Sequence, residues 1–314
     1  MTTTTATSPT LTLTGRVSLA AESANKKLTS PWASLTAVLI AVLWTIPTLG
    51  LFISSFRPEN DVKGSGWWTF FGNPSVTLEN YKSVLTGSDT DLATFFVNSI
   101  VITIPSVLIP ITLASMAAYA FAWMKFPGRN LLFVAVFAMQ IVPIQVTMIP
   151  LLSLYVSPPF GLPSLAGPEA PGGGFYTIWL SHTIFALPLA IYLLHNFMRE
   201  IPGELVESAR VDGAGHVQIF SRIMLPLMVP AIAAFGIFQF LWVWNDLLVA
   251  LVFGGGNLDV SPLTVRLAEL SGTRGADWHL LSAGAFVSLV VPLIVFLSLQ
   301  RFFLRGLLAG SVKG

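Results

Sequence analysis

Five charged residues fall close together in the stretch ELVESARVDGAGHVQIFSRIMLP (204–226): Glu204, Glu207, Arg210, Asp212 and Arg222. Carboxylates and guanidinium groups at such spacings can make charge-assisted hydrogen bonds to a partner. Gly213 and Gly215 among them mark a turn. A second polar group sits in FQFLWVWNDLLVAL (238–251), where Asn245 and Asp246 follow Trp242 and Trp244. An ionisable side chain within an apolar segment either lines a path or is hydrogen-bonded inside a bundle. Histidines occur at 182, 195, 216 and 279, with no His-Glu-x-x-His pattern and no ligand pair at helical spacing. A metal site is therefore not expected. There are no cysteines, which excludes disulfides, thiolate metal sites and cysteine nucleophiles. No Gly-x-x-x-x-Gly-Lys-Ser/Thr occurs, so the chain cannot cradle ATP phosphates in the P-loop manner. Without a convergent cluster of histidine, acid and nucleophile, an enzyme is not expected either.

These polar groups must be positioned by very oily elements. Of 314 residues, 54% are hydrophobic and 10% charged, against roughly 25% charged in soluble domains. The mean hydropathy of +0.76 points to a polytopic membrane protein. A net charge of +1 offers no nucleic-acid surface. Charge-free runs cover 28–56, 92–124, 130–168 and 170–198, and about 20 apolar residues cross a bilayer core. Spans are placed at 32–54, 95–120, 130–154, 175–197, 227–252 and 280–302. The segment SPPFGLPSLAGPEAPGGG (157–174) cannot stay helical and would leave unsatisfied backbone in lipid, so it is a loop. The expected fold is an all-α integral membrane protein of six transmembrane helices.

Lys and Arg set the orientation. With the N-terminus inside, eleven fall on the cytoplasmic side (16, 26, 27, 125, 129, 199, 210, 222, 301, 305 and 313) and five outside (57, 63, 82, 266 and 274). Both termini are expected in the cytoplasm. Residues 1–30, rich in Thr, Ser and Ala and lacking a signal-like apolar run, are expected to be a disordered cytoplasmic tail. The six-helix transmembrane domain is expected over 31–304, with a loop at 199–226 and a C-terminal tail at 305–314.

Could residues 204–226 lie in lipid? Each charge at a helix centre costs about 2.5–3.5 kcal/mol, and five together on the order of 15 kcal/mol. The segment belongs in water or against another protein. Its signals describe two short helices. Pro202, Glu204 and Glu207 suit a helix start, and Leu205, Val206 and Ala209 form its apolar face. After Gly213 and Gly215, Val217, Phe220 and Met224 resume an apolar face up to Pro226. By itself this pattern describes either a rigid knob or an amphipathic connector on the membrane surface.

The stretch ESARVDGAGHVQIFSRIMLP resembles the EAA loop of bacterial ABC importer permeases. Glu207, Ser208 and Ala209 stand for Glu-Ala-Ala, three residues precede Gly213, and nine more precede Ile223, Met224, Leu225 and Pro226. Ser208 in place of the middle Ala is the one departure. The resemblance implies a type I ABC importer permease fold in the bacterial cytoplasmic membrane, and a loop that docks in a cleft on a cytoplasmic ATPase. It implies that Glu207, Ser208, Ala209, Asp212, Gly213, Ala214, Ile223, Leu225 and Pro226 form that coupling site, with Glu207 meeting a basic group. The terminal RGLLAGSVKG resembles the end of the smaller permease subunit of maltose-type carbohydrate importers. There, Gly310, Ser311, Val312, Lys313 and Gly314 would reach the ATPase interface. The Trp242, Asn245 and Asp246 element and residues 272–314 are most similar to the alpha-glucoside branch. The implied partners are a second homologous permease subunit, an ATPase dimer holding the ATP and magnesium, and an extracytoplasmic sugar-binding protein. This chain would carry no cofactor of its own, and the membrane sugar site would belong largely to the other permease subunit. The alternative, a secondary transporter, would need mid-membrane coupling groups and often internal repeats. No repeat is found, and Asp246 lies near one end of its span.

Overall fold

A computed structural model describes residues 31–87, 92–167, 170–272 and 275–311, with side chains for all of these except 171, 172 and 301–311. The expected tail at 1–30 lies outside the described residues, as do Val312, Lys313 and Gly314. The helices in order are α1 (Pro31–Ser55), α2 (Glu59–Gly64), α3 (Glu79–Thr86), α4 (Leu92–Trp123), α5 (Arg129–Ala138), α6 (Ile144–Val156), α7 (Phe175–Arg199), α8 (Gly203–Val211), α9 (His216–Ile219), α10 (Leu225–Trp244), α11 (Leu248–Phe253), α12 (Leu263–Ser271) and α13 (Trp278–Ser311). Among the described residues there is no strand.

Among the described residues, five helices are long and apolar enough to cross a membrane, and a bent pair makes a sixth if its halves form one span. Every backbone N–H in lipid must be bonded within the protein, which a long helix does by itself. Two spans differ from expectation. The segment expected as one helix at 130–154 is broken, its halves Arg129–Ile141 and Ile144–Val156 meeting at 105°. Pro143 is the cause: it has no N–H to donate and disfavours helical geometry in the residue before it. Val142 is accordingly extended at φ −74°, ψ 120°.

The segment expected as 227–252 begins earlier and ends sooner. Its helix is continuous from His216 to Trp244, then breaks before α11. Continuity past Pro226 is achieved by a π-helical turn at Phe220–Met224. The wider turn accommodates a residue that can neither donate a hydrogen bond nor fit its ring in a regular α-turn. The second short helix of the loop is thus the first part of a span. At the other end of the chain, α13 runs on to Ser311, past residue 304 where a separate tail was expected to begin.

Helix α4 packs most extensively on α7; α10 packs on both and on α13, and α13 meets α1, α3 and α12. Three apolar clusters follow. One lies at the end carrying the 199–226 loop and joins α4, α7, α8 and α10 through residues such as Ala118, Leu194, Val206 and Met228. A second, toward the other end, includes Ile178 and Phe253. A third lies at the opposite end around Leu92 and Leu263. Helix α1 buries only Gly50, Ile53, Ser54 and Ser55. Gly50 is needed there because a Cβ would stand 2.6 Å from the Trp67 indole nitrogen.

At that opposite end Arg57 is 3% exposed. It donates to the carbonyls of Gly66 (3.0 Å) and Asp61 (3.1 Å) and to the hydroxyls of Ser65 (2.7 Å) and Thr69 (3.2 Å). Asn80 donates to the Ser55 and Arg57 carbonyls at 2.9 and 2.8 Å. Asn98 binds the carbonyls of Asp259 (2.9 Å) and Ser261 (3.1 Å). Buried polar groups with partners fix one arrangement of these short helices and loops.

Candidate functional site

Helix α8 starts where Pro202, extended at ψ 132°, allows a helix to follow. It ends at Asp212 because Gly213 takes φ +81°, a conformation that L side chains adopt only at a cost. The Gly213 N–H then donates to the Arg210 carbonyl at 3.0 Å, and the Ala214 N–H to the Ala209 carbonyl at 2.9 Å. This pairing closes the helix end and turns the chain sharply. The next helix is capped by Gln218, whose side-chain oxygen accepts from the Gly215 N–H at 3.1 Å.

The elbow has a buried base and a bare crest. Ile201, Val206, Ala209, Ile219 and Met224 are buried in the cluster with Tyr119, Leu194 and Met198. Glu204, Glu207, Ser208, Arg210, Asp212 and Gly213 are exposed. Val211 and Val217 are 87% and 80% exposed. Among the described residues, no salt bridge involves Glu204, Glu207, Arg210, Asp212 or Arg222. Of the sequence-singled residues, Ala209 is buried, Ala214, Ile223 and Leu225 are half-buried, and Pro226 is exposed.

The apolar face anticipated for α8 is thus largely present, although Leu205 is 43% exposed. That anticipated for the second helix holds for Phe220 and Met224 but not for Val217. Tyr119 was missed. Its hydroxyl pairs with His216 Nδ1 at 2.8 Å, tying the elbow to α4, and its ring packs on Phe220 with centroids 5.3 Å apart. The available signal was the run SMAAYAFA, since small residues let helices approach closely.

Asn245 and Asp246 stand in the break between α10 and α11. Asp246 caps α11, accepting from the N–H groups of Val249 (3.3 Å) and Ala250 (3.0 Å). Its own carbonyl accepts from Thr264 Oγ1 at 2.5 Å, and His182 Nε2 lies 3.7 Å from its carboxylate. A carboxylate at a helix start satisfies N–H groups that otherwise have no partner. Trp244 is buried and donates from its indole to the Ser288 carbonyl at 3.1 Å. Trp242 stays partly open at 37% exposure.

The other histidines have local surroundings of their own. His195 packs on Phe133, ring centroids 4.3 Å apart, and His279 lies 3.9 Å from Glu59. Among the described residues, no three of His, Cys, Asp and Glu gather closely enough to hold a metal. Gly310 and Ser311 fall on the last turns of α13.

Compared with known families, residues 110–308 match the model of the binding-protein-dependent transport system inner membrane component. The osmoprotective compounds uptake permease protein GgtD of Synechocystis sp. is 52% identical, covering 89% of this chain and 91% of that one. The alpha-glucoside transport system permease protein AglG of Rhizobium meliloti is 40% identical, covering 90% and 97%. The trehalose transport system permease protein SugB of Mycobacterium tuberculosis is 34% identical, covering 90% and 97%. Among solved structures, a chain of a bacterial alginate ABC transporter, crystallised with an alginate-bound periplasmic protein, aligns with a TM-score of 0.64. It covers 89% of this chain and 96% of that one at 18% identity, a likeness of fold alone.

Proposed function

The chain belongs to the family of binding-protein-dependent transport system inner membrane components, and we propose that it is the permease subunit of an ATP-driven glucoside importer whose 204–226 elbow engages the ATPase. It is a transport component of a membrane, not an enzyme. The observation that carries the coupling reading is the elbow itself: an exposed crest of Glu207, Ser208, Asp212 and Gly213 on a base buried among α4, α7 and α10. A crest fixed to three spans moves with them, and rigid-body rotation at an interface is a recurrent form of switching.

In this reading the N-terminus and the elbow are cytoplasmic, as the eleven-to-five distribution of Lys and Arg favours. Glu207 meets a basic group in a cleft of the partner ATPase, and the small residues at the bend fit below it. The end of α13 and the following Val312, Lys313 and Gly314 lie along the same interface. Closure of the ATPase dimer, which holds ATP and magnesium, draws this elbow toward that of a second, homologous permease subunit. The path between the two permeases then opens outward, where a sugar-loaded binding protein docks on the loops around 57–91, 155–175 and 253–280. The alpha-glucoside and trehalose names of two relatives support a glucoside as cargo.

The test is the double substitution Glu207→Lys with Gly213→Pro in the reconstituted complex. Loss of sugar-stimulated ATP hydrolysis together with transport is expected. Normal values for both would remove the coupling assignment.

A further inference from the structure

Between α7, α10 and the bend after α5 lies a cavity of about 500 Å³. Its wall includes Gln140, Phe185, Phe238, Gln239 and Trp242, the remainder being Ala, Leu and Phe, with no charged side chain. The volume falls within the roughly 300–1,000 Å³ of small-molecule sites. Gln140 rides on the 3₁₀ turn Met139–Ile141 that precedes the Pro143 bend, so the break in that span is what brings an amide here. Gln239 is 2% exposed and held by donation to the Ser106 carbonyl at 3.1 Å. Trp242 is braced edge-on by His182, ring centroids 6.0 Å apart at 87°.

Depth and chemistry narrow the occupant. Gln239 lies in α10 roughly 21 Å along the axis from Leu225, and Phe185 is near the middle of α7. The cavity therefore sits within the spans and not at their ends. A wall made for acyl chains would not carry two amides and an indole, because polar groups facing hydrocarbon go unsatisfied. An ionic ligand would find no counter-charge. Aromatic faces that cover the C–H side of a sugar ring, flanked by amides that bond its hydroxyls, suit a neutral glycoside.

We infer that this chain supplies its own subsite for one pyranose unit of the cargo, with Trp242 and Phe238 stacking on the ring and Gln140 and Gln239 bonding its hydroxyls. The inference rests on the importer reading above. It gives this subunit a share in sugar choice that the family resemblance would leave largely to the other permease.

The experiment uses the whole complex in proteoliposomes, with its binding protein and radiolabelled maltose, trehalose and sucrose as probes. Gln140→Leu and Trp242→Leu are each expected to lower uptake about tenfold, the scale of one lost specificity contact, and to change the ranking of the three sugars. Trp242→Phe should keep most of the uptake and the ranking of the unsubstituted complex. Unchanged uptake in both leucine variants would overturn the subsite, leaving lipid or a partner helix as the cavity's occupant. So would a loss in Trp242→Phe equal to that in Trp242→Leu, or uptake of all three sugars falling by the same factor, since either means packing alone. If the unsubstituted complex takes up none of the three sugars, the importer reading itself fails and the subsite with it. That result is distinct from intact transport indifferent to the substitutions.

Discussion

The two ends of the bundle hold their polar groups in opposite ways. At the end around Arg57, the bonds run between elements far apart in sequence: Asn80 to the end of α1, Asn98 to residues 259 and 261, and Thr177 to the Phe253 carbonyl at 2.9 Å. At the elbow many close within a turn, as from Ser221 to the Val217 carbonyl at 2.7 Å and from Ala214 to Ala209. The elbow's charges point outward while its apolar residues carry the attachment. One end ties its polar groups to one another, whereas the other leaves its charged groups exposed. Substitutions should therefore fail as fold at the first end and as function at the second.

The sharpest break of that contrast is Arg57→Met, which keeps the aliphatic stem and removes the donors. It should destabilise by about 3 kcal/mol because buried carbonyls lose their partners, read as a lower Tm of the detergent-solubilised complex. Glu207→Ala should do the reverse, lowering transport about tenfold through a lost charge-assisted bond while Tm stays put. A matching fall in Tm would place Glu207 in the fold instead.

Gly213→Ala tests the turn between them. A Cβ there has open space, so the expected loss of about 1 kcal/mol comes from positive φ alone. An unchanged Tm would mean that the turn rearranges freely. Tyr119→Phe should cost about 1 kcal/mol and raise hydrogen exchange at 203–219 without affecting the Arg57 end. Equal exchange at both ends would dissolve the distinction.

The smallest effect concerns Glu59, whose carboxyl is held below its ordinary value by the hydrogen bond from Lys63 and by the nearby His279. A depressed folded pKa contributes stability above the unfolded value of about 4.5, lost as pH falls through the folded one. Glu59→Gln should thus show a slight Tm deficit at neutral pH that closes on acidification. A gap that persisted in acid would point away from charge.

Much of this was legible in the sequence. Charge-poor apolar runs located the candidate membrane-crossing segments because charge in lipid is costly, and the spacing from Glu207 to Pro226 located the elbow. The break at Pro143 was not read, since hydropathy registers how oily a run is and is blind to its direction. The bond of Trp244 was not read either, since a tryptophan near a span's end looks alike whether its indole meets headgroups or a carbonyl of a neighbouring helix. Tyr119 could not be paired with His216 from sequence, because the two lie 97 residues apart and meet only once α4 and α10 are side by side.

The unbroken helix from His216 to Trp244 makes a lever of the elbow and the cavity wall. His216 in the elbow and Trp242 in the cavity wall are separated by roughly 39 Å of helix. A tilt of only about 10° around its midpoint would swing each end by roughly 3 Å in opposite senses. The stroke available at Trp242 is then set by how stiff the π-helical turn is, and a stiffer or softer joint at 220–224 would regear the machine without touching either end.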